Sequence, residues 1–251
     1  MITLKELHHF LDHLLEPQLF TDFGKNGLQI EGKTNIAKIA TAVSVDLQTI
    51  KKAIEQGVDA LIVHHGLFWG NECPMITGIF KEKIQLCLKN ELSLFSYHLP
   101  LDAHREIGNN WKAAIDLEWT QLDEFLKMGG IPIGVKGEFA PISIQDFVKK
   151  IENYYQSHAH KALGGKEMVS SAAIVSGGAY KNIKDAKESG VDCFITGNFD
   201  EPAWSQAHEL GIHFLALGHT ATEKVGPRAL QKLLQNKLSV NTSFIDTNNP
   251  F

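Results

Sequence analysis

An alternation of strand-like and helix-like segments occurs twice in this chain, and the repetition constrains the fold more than any other feature. In the first occurrence KIATAVSV (38–45) reads as a strand, LQTIKKAIEQG (47–57) as a helix closing on glycine, and DALIV (59–63) as a buried strand. IFKEKIQLCLKN (79–90) then reads as a helix and LSLFSY (92–97) as a strand. Strands alternating with helices of about 10–15 residues build βαβ units around a largely parallel sheet. In the second occurrence AVSVDLQTIKKAIEQGVDALIVHHG (42–66) can be laid over AIVSGGAYKNIKDAKESGVDCFITGN (173–198). At a constant spacing of 133 residues Gly57, Val58 and Asp59 fall on Gly190, Val191 and Asp192. Ile50, Ala53, Glu55 and Ile62 likewise fall on Ile183, Ala186, Glu188 and Ile195. ELSLFSYHLPLD (91–102) resembles ELGIHFLALGHTATE (209–223), with a slip of a few residues before the histidine. The expectation is an α/β protein of two related lobes made by internal duplication, residues 1–128 and 129–251.

The copies differ where chemistry gathers. His64 and His65 in the first become Gly197 and Asn198 in the second, which suggests one shared site with unequal contributions. Ligands in open α/β sheets collect at the C-terminal strand ends, and there the chain places His64, His65, His98, Asp102, His219 and Glu223. Adjacent residues on an extended chain project in different directions, so His64 and His65 suit two neighbouring ions better than one. Asp102 and Glu223 could bridge them. Imidazole mixed with carboxylate suits zinc, iron, manganese or nickel, and the absence of cysteine among these six argues against a closed structural zinc site. A single histidine after a strand is ordinarily just a satisfied polar residue; six candidates in a duplicated fold favour metal.

Other motifs carry less. His8, His9 and His13 on the first helix, and His158 and His160 in a loop, are read as lacking carboxylates at ligand spacing. His104, His208 and His213 are read as surface or supporting residues. Gly177-Gly178 fits a phosphate cradle or a tight turn equally, and Lys224 and Arg228 are candidate phosphate partners. Asn26 and Gln29 are weak candidates for ligand contact, while Phe68 and Trp69 read as packing.

Composition closes some doors. A net charge of −5 and a pI near 6.2 give no basic field for a phosphate backbone, so nucleic acid is disfavoured as a partner. The opening MITLKELHHFLDHLLEP reads as an amphipathic helix with Thr3 and Glu6 forming a capping box, and no leader is expected. Nowhere do 18 apolar residues run together, so no membrane span is expected. Cys73, Cys87 and Cys193 are widely spaced and read as reduced thiols of a cytoplasmic protein.

VHHGLFW, YHLPLDAH and GHTATEKVG together resemble the signatures of the Nif-three-like proteins, also called the GTP cyclohydrolase 1 type 2 family. The resemblance runs from the first helix to the C-terminus. It implies two intertwined α/β lobes with a dinuclear divalent-metal site between them, in the short form without an inserted middle domain. It implies that His64, His65, Asp102, His219 and Glu223 are the metal ligands, and that His98 lines the site without binding metal. It also implies a ring-shaped homohexamer and a small-molecule substrate of nucleotide type. The activity in the family name is hydrolytic opening of the guanine imidazole ring of GTP, for which His98 is the expected proton carrier. A dinuclear phosphoesterase or amidohydrolase would use the same residues, and a metal-binding scaffold that recruits a partner is the non-enzymatic alternative.

Overall fold

The structure is a computed structural model that describes residues 1–70 and 74–251; Cys73 lies outside the described residues. In chain order its main elements begin with β1 (Ile2–Thr3), α1 (Leu4–Leu15), β2 (Gly27–Ile30), β3 (Asn35–Ile36) and β4 (Lys38–Ser44). There follow α2 (Leu47–Glu55), β5 (Ala60–His65), α3 (Gly78–Lys89), β6 (Ser93–Ser96), α4 (Leu99–Ala103) and α5 (Asn109–Asp116). Next come β7 (Thr120–Met128), β8 (Ile131–Ser143), α6 (Ile144–Tyr155), β9 (His160–Leu163), β10 (Met168–Ile174) and α7 (Ile183–Glu188). The chain closes with β11 (Cys193–Thr196), α8 (Pro202–Leu210), β12 (His213–Ala216), α9 (His219–Glu223), α10 (Val225–Leu238) and β13 (Asn241–Phe244). None of the described helices is long and apolar enough to cross a membrane.

Two units result. The first comprises Met1–Ile107 with Gly226–Asn249, the second Gly108–Val225 with Pro250–Phe251. The first holds a five-stranded sheet in the order β13-β4-β5-β6-β2, parallel except for β2. The second holds a six-stranded sheet in the order β7-β8-β10-β11-β12-β9, in which β10, β11 and β12 are parallel and β9 antiparallel. Thus β4-β5-β6-β2 and β10-β11-β12-β9 share one topology, down to an antiparallel edge strand that precedes the others in the chain.

The match extends to individual bonds. Ile39 lies opposite Ala60 as Ala172 lies opposite Cys193, each residue of the second pair 133 beyond its counterpart. Asp59 accepts the Ala37 N–H at 2.9 Å and the Lys33 ammonium at 2.8 Å. Asp192 accepts the Ser170 N–H at 2.8 Å and the Lys166 ammonium at 2.8 Å. Gly57 (φ +65°) and Gly190 (φ +84°) turn the chain out of α2 and α7 in the left-handed region that a side chain would strain. The chain is a duplicated α/β protein.

The last helix of each copy belongs to the other copy's unit. Trp111, Ala113 and Ala114 of α5 are buried with Val135, Phe147 and Ile174 in the second unit. Ala229, Leu230 and Leu234 of α10 are buried with Leu7, Ile39 and Phe95 in the first. The lobes are intertwined in this sense. The contacts draw the first crossing at 107/108, where the sequence suggested 128/129. A cut after residue 128 would split the β7–β8 hairpin, whose rungs run from Thr120–Glu138 to Met128–Ile131 and which joins the second sheet through β10.

Local chemistry explains several elements. Leu4, Leu7, Leu11 and Leu15 recur along one face of α1 and are buried, each contributing about 1.5–3 kcal/mol on burial. The Thr3 hydroxyl accepts the Glu6 N–H at 3.2 Å while the Glu6 carboxylate accepts the Thr3 N–H at 2.7 Å, the expected capping box. Cys87 and Cys193 are free, buried thiols; burial pushes Cys87 up to about 11 and Cys193 higher still, which leaves both unreactive.

Burial alone would raise the Asp59 and Asp192 carboxyls, but the lysine and backbone hydrogen bonds outweigh it and hold both below the ordinary carboxylate range. Their stabilising contribution is therefore complete above about pH 4 and lost as pH falls through the depressed values. Asp59→Ala or Asp192→Ala is expected to cost about 1–3 kcal/mol in urea denaturation at pH 7, since each strands a backbone N–H. That difference from the wild type should shrink in denaturation below pH 3.

Candidate metal centre

In the first unit the strand β5 ends on His64 and His65, with His64 wholly buried and their ring centroids 4.6 Å apart. The next residue must be glycine. A Cβ at Gly66 would come within 2.6 Å of the Gln29 amide and of Ser96 Cβ. From β6 the chain reaches His98, the residue that opens α4, and one turn later Asp102, which is buried. One ring nitrogen each from His64, His65 and His98 lie within 4.8 Å of one another, close enough to share an ion.

The partners behind the rings determine what faces forward. The Tyr97 carbonyl, 3.2 Å from His64 Nδ1, can only accept, so Nδ1 carries the proton and Nε2 presents its lone pair. His64 Nε2 stands 3.7 Å from Asp102 Oδ1. That is close to the separation of about 3.4 Å that two ligands take on one tetrahedral cation with bonds of about 2.1 Å. A cation between them turns the meeting of a lone pair and a carboxylate into coordination. Asp22 takes the same part for His98, its Oδ1 accepting from Nδ1 at 2.8 Å. His65 Nδ1 meets the Ser44 hydroxyl at 3.0 Å, which can serve either tautomer. Metal-binding histidines are held in this way, with one nitrogen fixed from behind and the other free to coordinate. The Trp69 ring lies edge to face with His98 at 5.1 Å and is 43% exposed, while Phe68 packs on Phe80.

In the second unit α9 carries His219 and Glu223 four residues apart, with Nε2 and Oε1 at 3.1 Å. Glu223 is buried and His219 one-third exposed. Gly177, at φ +67°, passes so close that a Cβ there would stand 2.4 Å from Glu223 Oε1 and 3.2 Å from His219 Nε2. Its N–H is donated to the Thr222 hydroxyl at 3.1 Å, so the Gly177 amide serves the turn and not a phosphate. Arg228 pairs with Asp246 at 3.4 Å. Gly197, 133 residues beyond His64, has no room for a side chain: a Cβ would meet the Gly177 carbonyl and His219 Cα at 2.7 Å. The asymmetry of the two copies is steric.

The structure thus gathers His64, His65, His98 and Asp102 in one unit, and His219 and Glu223 in the other. The donor set of imidazole nitrogens and buried carboxylates fits a divalent transition metal. His98 stands as close to the histidine pair as a ligand would, nearer than a residue that merely lines the site needs to be. His8 does have a carboxylate at helical spacing, Asp12 at 3.1 Å. His213 is buried, with Nε2 donating to the Lys166 carbonyl at 2.7 Å, and is a core residue and not a surface one. Asn26 and Gln29 are engaged within the fold, Asn26 accepting the His98 N–H at 2.8 Å and Gln29 the Leu67 N–H at 2.8 Å. Asp22 and Ser44 escaped the sequence reading, since neither stands at a strand end or at a recognisable spacing from its histidine.

Comparison with known proteins identifies the family. The model of the Duf34/NIF3 (NGG1p interacting factor 3) family matches residues 2–250. The chain is 54% identical over 252 residues to a Chlamydia muridarum protein named GTP cyclohydrolase 1 type 2 homolog, covering 100% of each. It is 37% identical over 250 residues to the Escherichia coli protein of that name, covering 98% of each. Among solved structures, protein ybgI, of unknown function, superposes with a TM-score of 0.93 at 36% identity over 100% of each chain. Reduced HcgD of Methanocaldococcus jannaschii superposes with a TM-score of 0.86 at 25% identity over 98% of each. By sequence, fold and residue pattern together, this chain belongs to the Duf34/NIF3 family.

Proposed function

We propose that the protein is a dinuclear metal-dependent hydrolase, with His64, His65 and Asp102 of one unit and His219 and Glu223 of the other as its ligands. The observation that carries this reading is the ring orientation in the first unit. A backbone carbonyl and a buried carboxylate fix the protons of His64 and His98 on Nδ1; His64 Nε2 then faces Asp102, and one ring nitrogen each of His64, His65 and His98 lie within 4.8 Å of one another. When bound, a pair of divalent cations lowers the pKa of a water molecule from 15.7 toward about 7. The chain's own residues do the rest. Asp102 and Glu223 supply the negative charge that holds cations together, and His98 Nε2 takes up a proton from the reacting group while Asp22 stabilises the ring. The half-exposed Trp69 offers an apolar wall on which a flat substrate can lie. A nucleotide substrate, with GTP first among them, follows from the relatives' name. The working assembly is a homohexamer in the cytoplasm.

Incubating metal-loaded protein with GTP and a panel of nucleotides, and following formate and phosphate release, tests the reaction. Metal retained without turnover of any nucleotide would remove the nucleotide reading and leave a hydrolase of another substrate or a scaffold. Elemental analysis is expected to find close to two ions per chain, and Glu223→Gln to lose or weaken one, with affinity reduced about 10-fold or more. Gly177→Ala should do the same by pressing a methyl group on Glu223. One ion or fewer in the reconstituted wild type would end the dinuclear reading. His98→Ala should keep both ions and slow turnover about 10²-fold or more; loss of metal in that variant would make His98 a ligand.

A further inference from the structure

Asp22 is a heavily engaged carboxylate beside the site, and its side chain is only 2% exposed. Oδ1 accepts from His98 Nδ1 at 2.8 Å and from the Gly24 N–H at 3.2 Å. Oδ2 accepts from the Leu99 N–H at 2.9 Å and from Asn26 Nδ2 at 3.0 Å. Four donors converge on two oxygens, and Asn26 is itself oriented because its Oδ1 accepts the His98 N–H. Burial pushes the Asp22 carboxyl up, but the hydrogen bond and charge attraction from His98, with the hydrogen bonds from Asn26 and Leu99, outweigh it and bring it down to about 2. Such a group has no proton to give.

We infer that Asp22 is a positioning residue: it fixes His98 as the Nδ1–H tautomer and so makes Nε2 a proton acceptor facing the site. Asp22 also receives the first N–H of α4, the helix that carries Asp102, so one carboxylate sets the ring and the ligand-bearing helix in register. The inference rests on the hydrolase reading for its purpose but not for its geometry.

The exchange Asp22→Asn separates the two. Leu99 N–H and Asn26 Nδ2 donate to one oxygen at 2.9 Å and 3.0 Å, against the longer 3.2 Å contact from the Gly24 N–H on the other, so the new amide is expected to turn its oxygen toward the first pair. Its NH2 then faces His98 Nδ1, which must become an acceptor, and the proton moves to Nε2. The equivalent change behind a serine-hydrolase histidine preserves geometry and costs about 10⁴-fold through the wrong tautomer.

The measurement is a long-range proton–nitrogen spectrum of the zinc-loaded, nitrogen-15-labelled full chain, with the His98 signals identified by their absence in His98→Gln. The wild type is expected to show a protonated Nδ1, and Asp22→Asn a protonated Nε2, with unchanged zinc content and circular dichroism. A protonated Nε2 in the wild type would overturn the inference, whether or not the variant folds. So would Nδ1–H persisting in a folded Asp22→Asn. In the GTP assay kcat should fall about 10²-fold or more with KM little changed. Undiminished turnover with an inverted tautomer overturns the positioning role, whereas no turnover of GTP by the wild type overturns the GTP reading and leaves the tautomer assignment standing.

Discussion

A neutral imidazole has two nitrogens and one proton, and whatever holds one nitrogen decides what the other can do. The site is organised around that constraint. Behind His64 stands a backbone carbonyl and behind His98 an ionised carboxylate, neither able to donate. Both rings therefore keep Nε2 as the acceptor, and that of His64 meets Asp102, a carboxylate that also offers only lone pairs. An interior lined by acceptors is stable only with cations or protons among them. Much of the local fold serves this arrangement: the turn through Asp22 and Asn26, the glycine after His65 that lets Gln29 approach, and the short helix that lifts Asp102 into place.

Duplication supplied the frame, and steric exclusion then divided the labour. Both copies keep the glycine turn, the buried valine and the aspartate that clamps a lysine and the first parallel strand. At the strand end that precedes the site they part. The first copy carries imidazole there; the second brings the Gly177 turn and α9 so close that only glycine fits at 197. The second copy's donors arise one element later, on α9, where a four-residue spacing puts His219 and Glu223 on one face.

Much of this was legible in the sequence, for identifiable reasons. Alternating strands and helices and the paired histidines are local patterns, and the duplicated chain states the alternation twice, 133 residues apart. The capping box at Thr3 and Glu6 is likewise confined to one turn. What escaped depends on distant pairing. Asp22 reaches His98 across 76 positions, and nothing in TDFGKNG marks it as the partner of a histidine. The boundary between units escaped for the same reason, because an exchanged helix leaves no mark on composition. Gly177-Gly178 fitted an anion cradle and a tight turn equally because a glycine pair after a strand is compatible with either use, and the direction of the Gly177 N–H, toward Thr222, favours the turn.

The exchange of α5 and α10 has a consequence for how the chain comes into being. On the ribosome the first unit's strands β4, β5 and β6 are made early, yet Leu7, Ile39 and Phe95 wait for Leu230 and Leu234 to cover them. The second unit already has α5 in hand when its own sheet emerges, so it can close first. The older half of the nascent chain is thus finished last. Its apolar face stays open to chaperones, or to a neighbouring chain's α10, until its own α10 has been synthesised.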